Sequence, residues 1–182
     1  TDALDHITRF EYDNAGRIAK TIDADDNFTE LAYNSRNQPT EQTLWQGKPI
    51  LRLSDGSYDP NSFDPYPIRR SLTDYDTAGR EIRQAQLYDP NSSVDVDNVD
   101  LSYDRVADTV YDAYGRLYRQ RTYFDGENDR ISLKEYTYDG HSRVSIVEFC
   151  ELEEVDVFGT IWETKFPQKS IAYQYDTKGQ KD

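Results

Sequence analysis

The chain has 182 residues, enough for one domain with a real core, and its 35 acidic and 21 basic residues give a formal net charge of −14. A surface this acidic repels phosphate backbones and anionic lipid, which argues against nucleic-acid partners, and no stretch is apolar enough for membrane insertion or a signal-peptide core. The single cysteine, Cys150, excludes a disulfide framework and a thiolate metal cluster, while an aromatic content of 13%, with 15 tyrosines, favours ordered β structure over disorder.

Along the chain one hexapeptide recurs: a tyrosine, an acidic or amide residue, two variable residues, a small turn residue, then Arg or Gln. The copies begin at Tyr12, Tyr33, Tyr75, Tyr111, Tyr138 and Tyr175. Their turns are expected at 13–17, 34–38, 76–80, 112–116, 139–143 and 176–180. Such recurrence signals a repeat architecture.

In the first copy, Asp13 suits the first position of a type I turn, because its carboxylate can accept a backbone N–H two residues on. Gly16 supplies the left-handed conformation that closes a three-residue loop with a bulge, and Arg17 then stands opposite Asp13 across the hairpin. The same roles fall to Asp76, Gly79 and Arg80, to Asp112, Gly115 and Arg116, to Asp139 and Arg143, and to Asp176 and Gly179. In the second copy Asn37 replaces Gly and tolerates the same conformation. In the fifth, Gly140 lies earlier and Ser142 takes the usual glycine place, so a different turn type is expected there.

Between turns the residues read as strands. Phe10 with Tyr12, Leu31 with Tyr33 and Tyr136 with Tyr138 share faces on the entering strands. The hairpin register predicts Tyr12 opposite Ile18, Tyr111 opposite Leu117 and Tyr138 opposite Val144, which are favoured aromatic–aliphatic pairs. These tyrosines suit core packing; a tyrosine ladder also suits sugar stacking. The shortest interval, 21 residues from Asp13 to Asn34, gives the minimal unit of two strands around the polar loop Asp23–Asn27. The scheme recurs with Asp125–Asp129 as the second loop. The expected fold is all-β: an antiparallel meander of consecutive hairpins forming a curved, twisted sheet, with motif turns along one edge and variable loops along the other. Residues 1–182 read as a single array, with insertions at about 47–67, 89–100 and 151–167, the last adding a short hairpin around Phe158-Gly159. The chain lacks methionine and starts inside a repeat, so the expectation is a piece of a longer protein.

Tyr-Asp-x-x-Gly-Arg, with an aromatic two residues before the tyrosine, resembles the YD repeat of RHS-repeat proteins. The run Asp2–Asp13 resembles the usual unit, although Asp5 stands where that family often has Gly. The resemblance implies strips of hairpins spiralling into a hollow shell, of which this chain is a segment. In bacterial toxin complexes and polymorphic toxins such a shell encloses a C-terminal toxin; in teneurins and wall-associated relatives the repeats stand at the cell surface. It implies a parent protein that is secreted or surface-exposed. Some shells end in a self-cleaving Asp-Pro-x-Gly-Leu segment, but Asp59-Pro60 and Asp89-Pro90 continue as Asn-Ser, so that activity is not carried over.

No catalytic constellation stands out. His6 and His141 lack a nucleophile at a suggestive spacing, and no enzyme activity and no cofactor are expected. Calcium is the one ion to weigh: Asp95, Asp97 and Asp100 offer oxygens, as do Asp23, Asp25 and Asp26. Neither run fits the twelve-residue calcium loop; in the first, Val99 stands at a ligand position. Tyr58, Phe63 and Tyr66, followed by Arg69 and Arg70, form a candidate ligand or partner surface, or else a cover for an open sheet end. The leading expectation is a non-enzymatic structural segment whose first partner is the rest of its parent protein. The alternative is a module binding a glycan or protein through the variable loops. Unpaired edges add the expectation of self-association.

Overall fold

The computed structural model describes residues 7–47, 65–101, 103–123, 131–157 and 160–175. Among them the regular structure is entirely strand: β1 (Arg9–Tyr12), β2 (Ile18–Ile22), β3 (Phe28–Tyr33), β4 (Pro39–Gln46), β5 (Tyr66–Tyr75), β6 (Glu81–Gln86), β7 (Arg105–Tyr111), β8 (Leu117–Tyr123), β9 (Ile131–Tyr138), β10 (Val144–Val157) and β11 (Thr160–Ala172). The fold is an all-β antiparallel meander of consecutive hairpins. Two compact units divide it: residues 1–80 with 86–98, and residues 81–85 with 99–182.

In the first unit β1 to β5 lie in chain order, each antiparallel to the next. Its buried residues include Phe28, Leu72 and Leu87, and the polar Thr43. Phe28 stacks on Trp45 with ring centroids 5.6 Å apart, the offset contact that aromatic pairs favour. The second unit arranges β6 to β11 likewise in chain order. Its core gathers toward the strand ends remote from the motif turns: Val106 pairs with Tyr123, Tyr123 with Ile131, and Leu133 with Cys150. Val106 and Leu133 are fully buried. Burying a side chain of that size contributes about 2 kcal/mol.

Three strand prolines show how this chain keeps proline within strands. Pro39, Pro67 and Pro167 each sit beside a shift of register, against Tyr33, Trp45 and Cys150 respectively. Proline cannot donate to a ladder, and a bulge is where a missing donor costs least.

Two sequence boundaries need correction. The insertion placed at about 47–67 ends sooner, because β5 begins at Tyr66; Tyr66, Arg69 and Arg70 are strand residues. The stretch 151–167 is no loop insertion. It belongs to β10 and β11, paired continuously from Ile146↔Ala172 to Val157↔Thr160, so the extra hairpin is the far end of one long ribbon. Tyr58, Phe63, His6, Asp176, Gly179 and the loop Asp125–Asp129 lie outside the described residues.

Candidate functional site

Each described motif turn has the geometry its residues dictate. In the first, the Gly16 amide donates to the Asp13 carbonyl at 2.9 Å and the Asp13 amide to the Arg17 carbonyl at 2.8 Å. Asp13 Oδ1 accepts the amides of Ala15 and Arg17, both at 2.9 Å, and Oδ2 accepts Arg17 Nε at 2.7 Å. The same set recurs on Asp76, Asp112 and Asp139. Gly16, Gly79 and Gly115 have φ of 78°, 83° and 79°. Asn37 and Ser142 follow at 64° and 61°, so the fifth turn keeps the common geometry and the expected change of type is corrected. Oδ1 of Asn34 accepts the amides of Arg36 and Gln38, which shows that the turn needs an acceptor oxygen and not a charge.

These bonds fix the carboxylates. The Arg143 amide, followed by its guanidinium and the His141 amide, holds Asp139 down at about 2 against an ordinary 3.8. Asp13 and Asp76 are lowered chiefly by the amides of Arg17 and Arg80. At Asp112 desolvation works the other way, but the hydrogen bonds from Arg116 outweigh it.

Tyr12, Tyr111 and Tyr138 stand opposite Ile18, Leu117 and Val144 as the register predicts. Their hydroxyls reveal a second role. Tyr33 donates to the carbonyl of Ile18 at 2.7 Å, Tyr75 to Pro39 at 2.8 Å, Tyr111 to Glu81 at 3.1 Å, Tyr138 to Leu117 at 2.7 Å and Tyr175 to Val144 at 2.7 Å. Every acceptor is the residue just after the preceding motif. The preceding arginine lies over the same ring: Arg17 over Tyr33 at 4.5 Å, and Arg116 over Tyr138 and Arg143 over Tyr175, both at 4.3 Å. Burial of the Tyr138 hydroxyl raises its pKa.

Further bonds tie neighbouring turns. Arg17 donates to the Asn34 carbonyl at 3.1 Å and to Asn37 Oδ1 at 2.9 Å. Arg36 reaches the carbonyls of Asp76 and Thr77, Gln38 the carbonyl of Gly79, and Arg116 the hydroxyl of Ser142. Motif tyrosine and arginine thus form a joint between successive hairpins, worth about 1 kcal/mol for the hydrogen bond and about 0.5–1 kcal/mol for the cation–π contact.

Beyond the turns the strands carry ion pairs: Lys20–Glu30 at 3.3 Å and Arg70–Glu41 at 2.8 Å in the first unit, and Arg83–Asp108, Arg119–Glu135 and Lys165–Glu135 at 2.6, 2.6 and 2.5 Å in the second. The side chains of these pairs are part-buried, between 12% and 44% exposed. Glu135 is lowered by Lys165 and Arg119 against the opposing effect of burial. Cys150, 4% exposed, has its thiol pushed up by burial and then by Glu135 and Glu148, which makes it a poor nucleophile.

Of the candidate ligand residues, Tyr66, Arg69 and Arg70 are described, all on β5. The Tyr66 hydroxyl donates to Gln46 Oε1 at 2.5 Å. Arg70 is held by both oxygens of Glu41 and by the Ser92 carbonyl. Arg69 is exposed beside a groove of about 190 Å³ shared with Thr29, Gln42, Leu44 and Ser71. A second open depression of about 410 Å³ includes Lys20, Glu30, Glu41, Thr43 and Trp45.

Asp95 Oδ1 accepts from the amides of Asp97 and Asn98 and from Asn98 Nδ2. The Asp100 amide donates to Asp104 Oδ2 at 2.9 Å. Among the described residues no group of three or more His, Cys, Asp or Glu side chains could hold a metal ion. His141 is exposed in its turn, and its amide donates to Asp139 Oδ1.

The polar loop Asp23–Asn27 is a further turn of the motif kind. Asp23–Asn27 repeats the motif backbone: the Asp23 amide donates to the Asn27 carbonyl, the Asp26 amide to the Asp23 carbonyl, and Asp23 Oδ1 accepts the amides of Asp25 and Asn27. Asp26 takes the left-handed position with φ of 62°, and Asn27 Nδ2 replaces the arginine on Asp23 Oδ2 at 3.1 Å. An Asp four residues before Asn, with Asp or Asn between them, was the available signal.

No family model matches the chain, and no curated protein matches it in sequence. Solved structures do. A crystal structure of TcdB2-TccC3-Cdc42 aligns with a TM-score of 0.60 at 18% identity, covering 96% of this chain. One of TcdB2-TccC3 aligns with a TM-score of 0.59, also at 18% identity over 96% of this chain. This chain spans only 7% of the length of each. At that identity the likeness establishes the fold alone.

Proposed function

We propose that this chain is a non-enzymatic structural segment of an RHS-type repeat array, part of a β-shell that encloses a toxin or of a repeat array at a cell surface. The observation that carries the reading is the repeated joint: five tyrosines, each bonded to the carbonyl that follows the preceding motif. A site built for chemistry gathers unlike groups once. This chain spends its most distinctive residues on the same contact over and over. The structural neighbours belong to a Tc toxin with RHS repeats, which supports the shell form of the reading. Secretion or surface display of the parent protein is part of the same proposal.

A glycan array combined with thermal melting tests it. The structural reading expects no selective glycan, together with a loss of stability when joints are removed, as in Tyr33→Phe and Tyr138→Phe. Selective binding abolished by Tyr58→Ala or Tyr66→Ala would replace it with the binding-module reading.

A further inference from the structure

Strand alternation sorts the charges of β2 to β5. Their acids are Glu30, Glu41 and Asp74, and the register puts all three on the face that carries Lys20, Arg70 and buried Leu72. There the cations are taken, Lys20 by Glu30 and Arg70 by Glu41. On the opposite face of these strands Arg69 is the one cation, and no acid accompanies it. In a chain of net charge −14 such a face is where an anion meets least repulsion.

Arg69 lines the groove of about 190 Å³ together with Thr29, Gln42, Leu44 and Ser71. Register explains the grouping: Thr29, Leu44 and Arg69 stand in one cross-strand row, and Gln42 and Ser71 in the next. Among the described residues none of these four polar side chains has a hydrogen-bond or ion-pair partner, whereas adjacent Arg70 is held by Glu41. The groove thus offers a guanidinium, two hydroxyls and an amide around one aliphatic side chain, all unused.

We propose that this groove binds the carboxylate of a small hydroxy acid. The guanidinium fork of Arg69 matches the two carboxylate oxygens. Thr29, Gln42 and Ser71 supply hydrogen bonds to a hydroxyl beside the carboxylate, and Leu44 meets a short carbon skeleton. A monoanion is favoured over a phosphate dianion, because each added negative charge works against the field of the whole chain. The site lies on strand residues instead of the variable loops, and it goes beyond the structural reading above without altering it.

The test titrates the isotope-labelled chain with sodium glycolate, replacing sodium chloride at constant ionic strength, and follows N–H chemical shifts. Saturable shifts are expected at Arg69 Nε–H and at the amides of Leu44 and Ser71. Arg69→Ala should weaken binding about tenfold. Arg69→Lys keeps the charge and loses the fork, and Thr29→Val keeps the shape and loses the hydroxyl; about threefold weakening is expected for each. These side chains have no internal bond to lose, so melting temperatures should stay near native, which separates lost binding from lost folding. Shifts that never saturate, or that survive Arg69→Ala, would overturn the proposal. Tighter binding of phosphate than of glycolate would overturn the carboxylate assignment. Each of these failures leaves the structural reading standing, since that reading falls to selective glycan binding lost with Tyr58→Ala or Tyr66→Ala.

Discussion

The turn at Asp13–Arg17 and the loop at Asp23–Asn27 share a backbone and differ in their neighbours. Both use an aspartate to accept two amides, and both place the fourth residue in the left-handed region. Only the first has the arginine, which stacks on Tyr33 and reaches the next turn. The second is contacted differently: Arg9 donates to Asp26 Oδ1 at 2.6 Å, and Gly47 packs against the loop and donates its amide to Asn27 Oδ1 at 3.3 Å. The comparison separates two functions folded into one motif. Aspartate and the left-handed residue make the turn; tyrosine and arginine join it to the turn before or after.

The separation can be broken most severely at Gly47. A Cβ there would lie 1.4 Å from the Asp26 carbonyl oxygen, so Gly47→Ala must displace backbone and is expected to cost about 3 kcal/mol in urea unfolding. Gly79→Ala meets both an unfavourable φ and Gln38 Nε2 at 3.3 Å, whereas Gly16→Ala meets the φ alone. About 1–2 kcal/mol is expected for the first and about 1 kcal/mol for the second, and equal losses would show that lateral crowding is irrelevant. Tyr138→Phe removes a joint hydroxyl and should cost about 1 kcal/mol, whereas Tyr12→Phe should be silent within about 0.3 kcal/mol in thermal melts.

The smallest expected effect concerns pH. Asp139 ionises at about 2 in the folded chain and near 3.8 when unfolded. It therefore stabilises fully above about pH 4, and that contribution is lost as pH falls toward 2. Asp139→Asn should flatten this part of the acid-unfolding curve while keeping the turn, as Asn34 does naturally. An unchanged acid limb would show that ionising this carboxylate contributes nothing beyond what an amide oxygen does.

What the sequence displayed was whatever lies within five residues. Asp13, Gly16 and Arg17 are local, and their turn, bulge and ion pair could be deduced. The joint was not legible, because Tyr33 meets Ile18 across 15 residues and only a known register brings them together. The loop Asp23–Asn27 was legible as a loop but not as a motif turn, because its left-handed residue is Asp26 and its arginine is absent. The prolines around Tyr66 read as the end of a loop insertion, whereas Pro67 lies at a register shift inside a strand. Arg70 belongs to Glu41 through strand pairing that local composition does not encode.

The chain-order arrangement of strands within each unit also governs how the molecule comes apart. Every strand pairs only with neighbours in sequence, so contacts close short loops and assembly can proceed hairpin by hairpin. Opening should then be graded instead of all-or-none, starting where a strand has one neighbour. Among the described residues of the first unit that strand is β1, four residues long and exposed throughout. Its amides should exchange far sooner than those flanking Leu133, and the same hierarchy would set the order in which a pulling force peels hairpins away.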